Sequence, residues 1–181
     1  MAASDVLELL DFLEGHGIQA WLNGGWGVDA LLGRQTREHD DLDITISAAD
    51  RQTYADAMAG LGFTTYRIDN DFNWVLVDGL DRLVDVHLVD FSETRLDSSG
   101  SDIYGSAGLP FEVGSLEGSG RIAGRRVKCE TAEYQVRGHT RYTPDEQDFK
   151  DVVALCRTFS IEVPELFKSM GFTTQRLAES P

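Results

Sequence analysis

Apolar positions recur along this chain in alternating helical and strand-like periods. Val6, Leu9, Leu10 and Leu13 fall at helical spacing behind Ser4, predicting an amphipathic helix capped by that serine and stopped by Gly15 and Gly17. Ile18 to Leu22 is a short apolar run, read as a strand, that ends at Gly24-Gly25. Val28, Leu31 and Leu32 predict the buried face of a short helix, with Gly33 as its C-terminal cap. Arg34 to Asp40 is polar and reads as a loop. From Asp41 to Ile46 the pattern alternates with period two, placing Asp41, Asp43 and Thr45 on one face and Leu42, Ile44 and Ile46 on the other. Ser47 begins the next predicted helix, with Tyr54, Ala57, Met58 and Leu61 on its apolar side and Gly62 at its end.

Phe63–Ile68, Phe72–Val77 and Arg82–Val89 then read as a strand meander, turning at Asp69-Asn70-Asp71 and at Asp78-Gly79. The third strand groups Leu83, Asp85, His87 and Val89 against Val84, Val86 and Leu88. From Gly100 to Gly124, both included, there are seven glycines, which marks a flexible or substrate-facing segment. Arg121 to Cys129 reads as a hairpin turning at Ala123-Gly124. Thr131 caps one helix, and Thr143-Pro144-Asp145-Glu146 reads as a capping box with proline at the first helical position. That helix turns Phe149, Val152, Val153, Leu155 and Cys156 inward. Pro164 starts a last short helix, and Thr173–Pro181 is read as a tail. The sum is an α+β fold: a small mixed β-sheet backed by helices, with a helical C-terminal part. Residues 1–115 form the core, and 116–181 form a hairpin and helical region packed with it as one compact unit.

A net charge of −15 and a pI near 4.5 turn this fold away from nucleic acid and anionic membrane, whose phosphates call for basic patches. The same charge suits a cationic small molecule. Cys129 and Cys156 have no metal-ligand spacing, the N-terminus lacks a basic, apolar leader, and no apolar run is long enough to span a bilayer. The cytoplasm is the expected location, with both thiols reduced.

The chemistry concentrates in Asn23 to Asp29 and His39 to Asp43. A glycine pair at a helix start offers backbone N–H groups to a phosphate. Two aspartates at i and i+2 on a strand point the same way and suit a hard cation such as magnesium. Asp85, on a strand able to pair beside the first, adds a third carboxylate, and three such groups repel one another unless a cation lies between them. Trp26 reads as packing, Lys150 as an i, i+4 partner of Glu146, and His87 as a partner of Asp85 or a structural histidine. Arg137, His139 and Arg141 read either as charge for a triphosphate or as a surface cluster.

These residues carry a resemblance. Trp21-Leu22-Asn23-Gly24-Gly25-Trp26-Gly27-Val28-Asp29, Leu32-Gly33, Arg37-Glu38-His39-Asp40-Asp41-Leu42-Asp43, Val84-Asp85-Val86-His87 and Gly120 to Cys129 are similar to the antibiotic nucleotidyltransferases of the DNA polymerase β superfamily. The block His139-Thr140-Arg141-Tyr142 with Asp148 and Asp151 resembles the lincosamide branch more than the aminoglycoside one. The likeness spans about residues 5–160 and departs from the superfamily at Gly25, where serine is common.

The resemblance implies a nucleotidyltransferase core in which Asp41 and Asp43 bind magnesium, two ions in all. Asp85 is then the third carboxylate, binding metal or removing a proton from the acceptor. Gly24 and Gly25 reach the phosphates of ATP or another nucleoside triphosphate, and Arg37 and His39 either contact phosphate or brace the carboxylates. The implied reaction moves a nucleoside monophosphate, AMP from ATP, to a hydroxyl of an aminoglycoside or lincosamide and releases pyrophosphate. Two rivals are an antitoxin-type nucleotidyltransferase acting on a protein side chain and a nucleotide-binding domain without catalysis. Retention of all three carboxylates speaks against the second.

Overall fold

The computed structural model describes residues 1–105 and 110–170. A seven-stranded mixed sheet runs through it in the order β3-β4-β5-β2-β1-β9-β8. Its strands are β1 (Ala20–Leu22), β2 (Asp41–Ser47), β3 (Thr64–Asn70), β4 (Asn73–Val77), β5 (Leu83–Val89), β8 (Gly118–Ile122) and β9 (Arg125–Cys129). A two-stranded ribbon, β6 (Thr94–Leu96) with β7 (Asp102–Tyr104), stands beside it. The helices are α1 (Ala3–Gly15), α2 (Gly24–Leu32), α3 (Arg51–Gly60), α4 (Ala132–Gly138), α5 (Glu146–Phe159) and α6 (Glu165–Ser169). None of them is long and apolar enough to cross a membrane.

One face of the sheet packs on α1 and α3. Leu22, Leu42, Ile44, Ile46, Val84, Val86 and Leu88 form this core with Val6, Leu9, Leu13, Tyr54 and Met58. A second apolar cluster joins Val28 of α2 to Ala132 and Val136 of α4 and to Phe149, Val152 and Leu155 of α5. Helix α2 thus belongs to both layers. That dual burial holds its N-terminus beside β2.

Several local expectations shift, each for a physical reason. Helix α1 begins one residue before Ser4, because the Asp5 carboxylate reaches back to the Ala2 N–H at 2.8 Å and supplies a charged acceptor there. Ser47 caps a single 3-10 turn, Ala48–Asp50, ahead of α3, and Leu61 lies past the helix end and is exposed. The cap of α5 is Asp145 rather than Thr143. Its carboxylate takes the Gln147 and Asp148 N–H groups, while Asp148 answers to the Asp145 N–H, and Pro144 falls outside the helix. In the glycine-rich stretch, Gly118 and Gly120 lie within β8, where a Cβ would collide with the backbone of Glu130 and of Ala30. Those two glycines serve close packing, not looseness. The stretch 106–109 and the tail 173–181 lie outside the described residues.

Candidate active site

The pairing of β2 with β5 builds the site. The strands run parallel in a register that sets Asp43 opposite Asp85 and Thr45 opposite His87. The alternate residues of both strands are core, so a slip of one position would drive the carboxylates into it. Ligating atoms of Asp43, Asp85 and His87 lie within 4.8 Å of one another. Asp41 shares their face at the start of β2, opposite Leu83, but is exposed and lies outside that group.

The charges are not balanced. Burial, then Asp41 and Asp85, push the Asp43 carboxyl up to about 8, with only Arg37 pulling it back. Burial also raises Asp85, opposed by His87, by Asn73 and by Arg67. The Asn73 amide donates to Asp85 at 2.5 Å, and Arg67 stands 3.8 Å away. Burial lowers the His87 imidazole although Asp85 favours its charge. Burial and mutual repulsion both disfavour two ionised carboxylates here, and a cation between them would reverse that. The donors are mainly hard oxygens, so a divalent cation of the magnesium type fits them.

The glycine pair lies against these groups. Gly24 opens α2 at φ +50°, and a Cβ there would strike the Asp43 carboxylate. A Cβ on Gly25 would strike the His39 imidazole and the Arg37 guanidinium, which explains glycine at a position where a serine was the alternative. Asn23 precedes the helix without capping it. Its amide hydrogen-bonds instead with the Thr45 hydroxyl at 2.7 Å, which leaves the first N–H groups of α2 for a ligand.

Arg37 and His39 differ in placement. His39 is buried, and its Nε2 donates to Asp29 across 2.5 Å. Asp29, inaccessible on α2, also accepts from the Thr36 N–H at 3.0 Å and the Thr36 hydroxyl at 2.6 Å. Arg37 is partly exposed, lies 3.5 Å from Asp151 of α5, and acts on Asp43 through its charge. Trp26 packs in the core with its ring 4.5 Å from that of His39. Of the C-terminal basic residues, Arg137 pairs with Glu112 at 2.6 Å, His139 donates to the Gln135 carbonyl at 2.7 Å, and Arg141 donates to the Tyr134 hydroxyl at 3.2 Å. Lys150 pairs with Glu146 at 3.1 Å.

Asn23 and Asp29 lie in the stretch that the sequence singled out but received no individual role there, and Asn73 received none. Asp29 carried a signal, as a carboxylate directly after Val28 on a helix buried on two sides. The other two depend on the register between neighbouring strands.

The profile of the family described as aminoglycoside-2''-adenylyltransferase matches residues 5–155. A lincosamide resistance protein of Staphylococcus haemolyticus is 27% identical over 153 residues, covering 82% of this chain and 90% of its own. A 2''-aminoglycoside nucleotidyltransferase of Klebsiella pneumoniae is 30% identical over 128 residues, covering 70% of this chain and 66% of its own. Among solved structures, lincosamide antibiotic adenylyltransferase LnuA with lincomycin bound superposes with a TM-score of 0.70 at 26% identity, over 88% of this chain and 97% of that one. ANT(2'')-Ia in complex with adenylyl-2''-tobramycin shares the fold, with a TM-score of 0.69 at 22% identity over 92% and 95% of the two chains.

Proposed function

Since the chain belongs to the aminoglycoside-2''-adenylyltransferase family, we propose that it transfers AMP from ATP to a hydroxyl of an aminoglycoside or lincosamide antibiotic and releases pyrophosphate. The observation that carries this reading is the parallel register of Asp43 with Asp85 beside the uncapped start of α2. Asp41, Asp43 and Asp85 are the residues that would hold magnesium, which when bound would supply Lewis-acid polarisation at the phosphate.

The rest is done by side chains and backbone. The N–H groups of Gly24 and Gly25 and the Arg37 guanidinium hold the triphosphate. His39, fixed by Asp29, braces Arg37 and the glycine pair. The acceptor oxygen attacks the α-phosphorus, the new O–P bond forms as the bond to pyrophosphate breaks, and Asp85 takes the hydroxyl proton. Burial raises the basicity of Asp85, which suits that role. Asn73 and His87 keep its carboxylate oriented.

The test is incubation with magnesium, each nucleoside triphosphate and a panel of aminoglycosides and lincosamides, read by mass spectrometry. A drug carrying one added nucleoside monophosphate is expected, and Asp41→Asn should abolish it with the circular dichroism unchanged. No adduct with any drug, while nucleotide still binds, would sink the reading.

A further inference from the structure

Across the sheet, four positions form a row next to the start of α2. Asp85 pairs with Asp43, and the Asn23 N–H donates to the Asp43 carbonyl at 3.0 Å. One residue beyond the Leu22–Cys129 pair, the Glu130 N–H donates to the Leu22 carbonyl at 3.0 Å. Cys129 and Val127 point into the core, so Lys128 and Glu130 belong to the opposite face, where Lys128 lies over the Trp21 ring. Two strand spacings put Glu130 roughly 10 Å from Asp43. That is beyond a shared metal and within the breadth of a bound acceptor.

Glu130 is 7% exposed, and among the described residues its carboxylate makes no hydrogen bond or ion pair. A buried carboxylate without a partner costs stability unless something arrives to pair with it. The sheet face it belongs to carries aromatic rings. Trp21, Phe91 and Tyr104 form a chain of ring contacts at 5.6 and 4.9 Å, and Trp21 and Tyr104 pack against the apolar group of Val89, Phe111, Leu116 and Tyr134. Arg141, the nearby cation, has its guanidinium over Tyr134 and donates to that hydroxyl.

We propose that Glu130 receives a protonated amino group of the acceptor and so selects cationic drugs whose amine lies well away from the attacked hydroxyl, which Asp85 holds three strand spacings, roughly 14 Å, along the row. This rests on the transfer reaction proposed above and names the substrate class. Burial pushes the Glu130 carboxyl up to about 8, with Arg141 opposing and Asp43 adding, so an incoming ammonium supplies the charge that lets it ionise.

The test compares wild type with Glu130→Gln. Binding of each drug is measured by calorimetry without nucleotide, beside transfer kinetics for the drug and its N-acetylated analogue. The variant should lose tenfold or more in Kd and KM for the amine-bearing drug. The KM for ATP and the constants for the acetylated analogue should stay where they are, and the melting temperature should not fall. Equal losses for both forms of the drug, or no loss, would overturn the proposal, as would failure of wild type to bind any amine-bearing drug. If wild type binds such drugs through Glu130 yet transfers nothing, recognition stands and the reaction falls.

Discussion

Asp29→Ala tests whether the loop under the glycine pair is held by one buried carboxylate. That carboxylate accepts from His39 Nε2 at 2.5 Å and from Thr36 at 3.0 and 2.6 Å, with no access to water. Removing it orphans the buried imidazole N–H and hands two donors of Thr36, itself exposed, over to water. Breaking a buried pair by deleting one partner costs on the order of 3–5 kcal/mol. For a chain of this length that lowers Tm by roughly 10 °C. The assay is thermal unfolding by circular dichroism, paired with nucleotide binding well below Tm. Asp29→Asn should cost less, since its carbonyl still accepts from Thr36 and its amide can face the other tautomer of His39. Nucleotide affinity should fall in both variants, because His39 and Arg37 frame Gly25. A Tm within about 2 °C of wild type for Asp29→Ala would refute the reasoning, since even one lost charged hydrogen bond costs more than that.

Three further outcomes follow from the site. Because Asp43 is held up to about 8, metal binding at neutral pH should expel close to one proton shared by the Asp43–Asp85 pair, and apparent magnesium affinity should rise with pH until about 8 and then flatten. Calorimetry in buffers of different ionisation heat measures the proton, and its absence in wild type would count against the site. The sign for stability is opposite to that of a salt-bridged aspartate: with the folded value above the ordinary 3.8, the metal-free fold loses stability as pH climbs from about 4 to about 8, and Asp43→Asn makes that slope shallower while Glu130, also raised, keeps its share. Gly25→Ser should raise the KM for nucleotide severalfold, since the added Cβ meets an imidazole pinned by Asp29. Unchanged kinetics would mean that the loop gives way freely.

Much of this site was legible because strand periodicity is coarse and strong. The alternation from Asp41 to Ile46 and from Leu83 to Val89 placed the carboxylates on one face, and the core beneath them agrees. Capping was less legible. Thr143 and Asp145 both offer an acceptor, and the choice fell to the aspartate because Asp148 could answer it. Asn73 lay on a strand read beside that of Asp85, but the register that brings its amide to the carboxylate was not legible, and Glu130 depends on a parallel contact between segments far apart in the chain. His39 was readable as polar and near the site. Its burial against Asp29 depended on how α2 rotates between two apolar layers.

Strand β1 has only three residues and sits between two halves of the sheet, taking β2 on one side and β9 on the other. Its second neighbour arrives from the far end of the chain. An N-terminal fragment ending before Gly118 would therefore present β1 with one edge of unpaired N–H and C=O groups, flanked by Trp21 and Leu22. An open, apolar edge of that kind recruits strands from other molecules. During synthesis the same edge stays uncovered until the hairpin emerges, so the last part of the sheet to be made is also the part that keeps the first from aggregating.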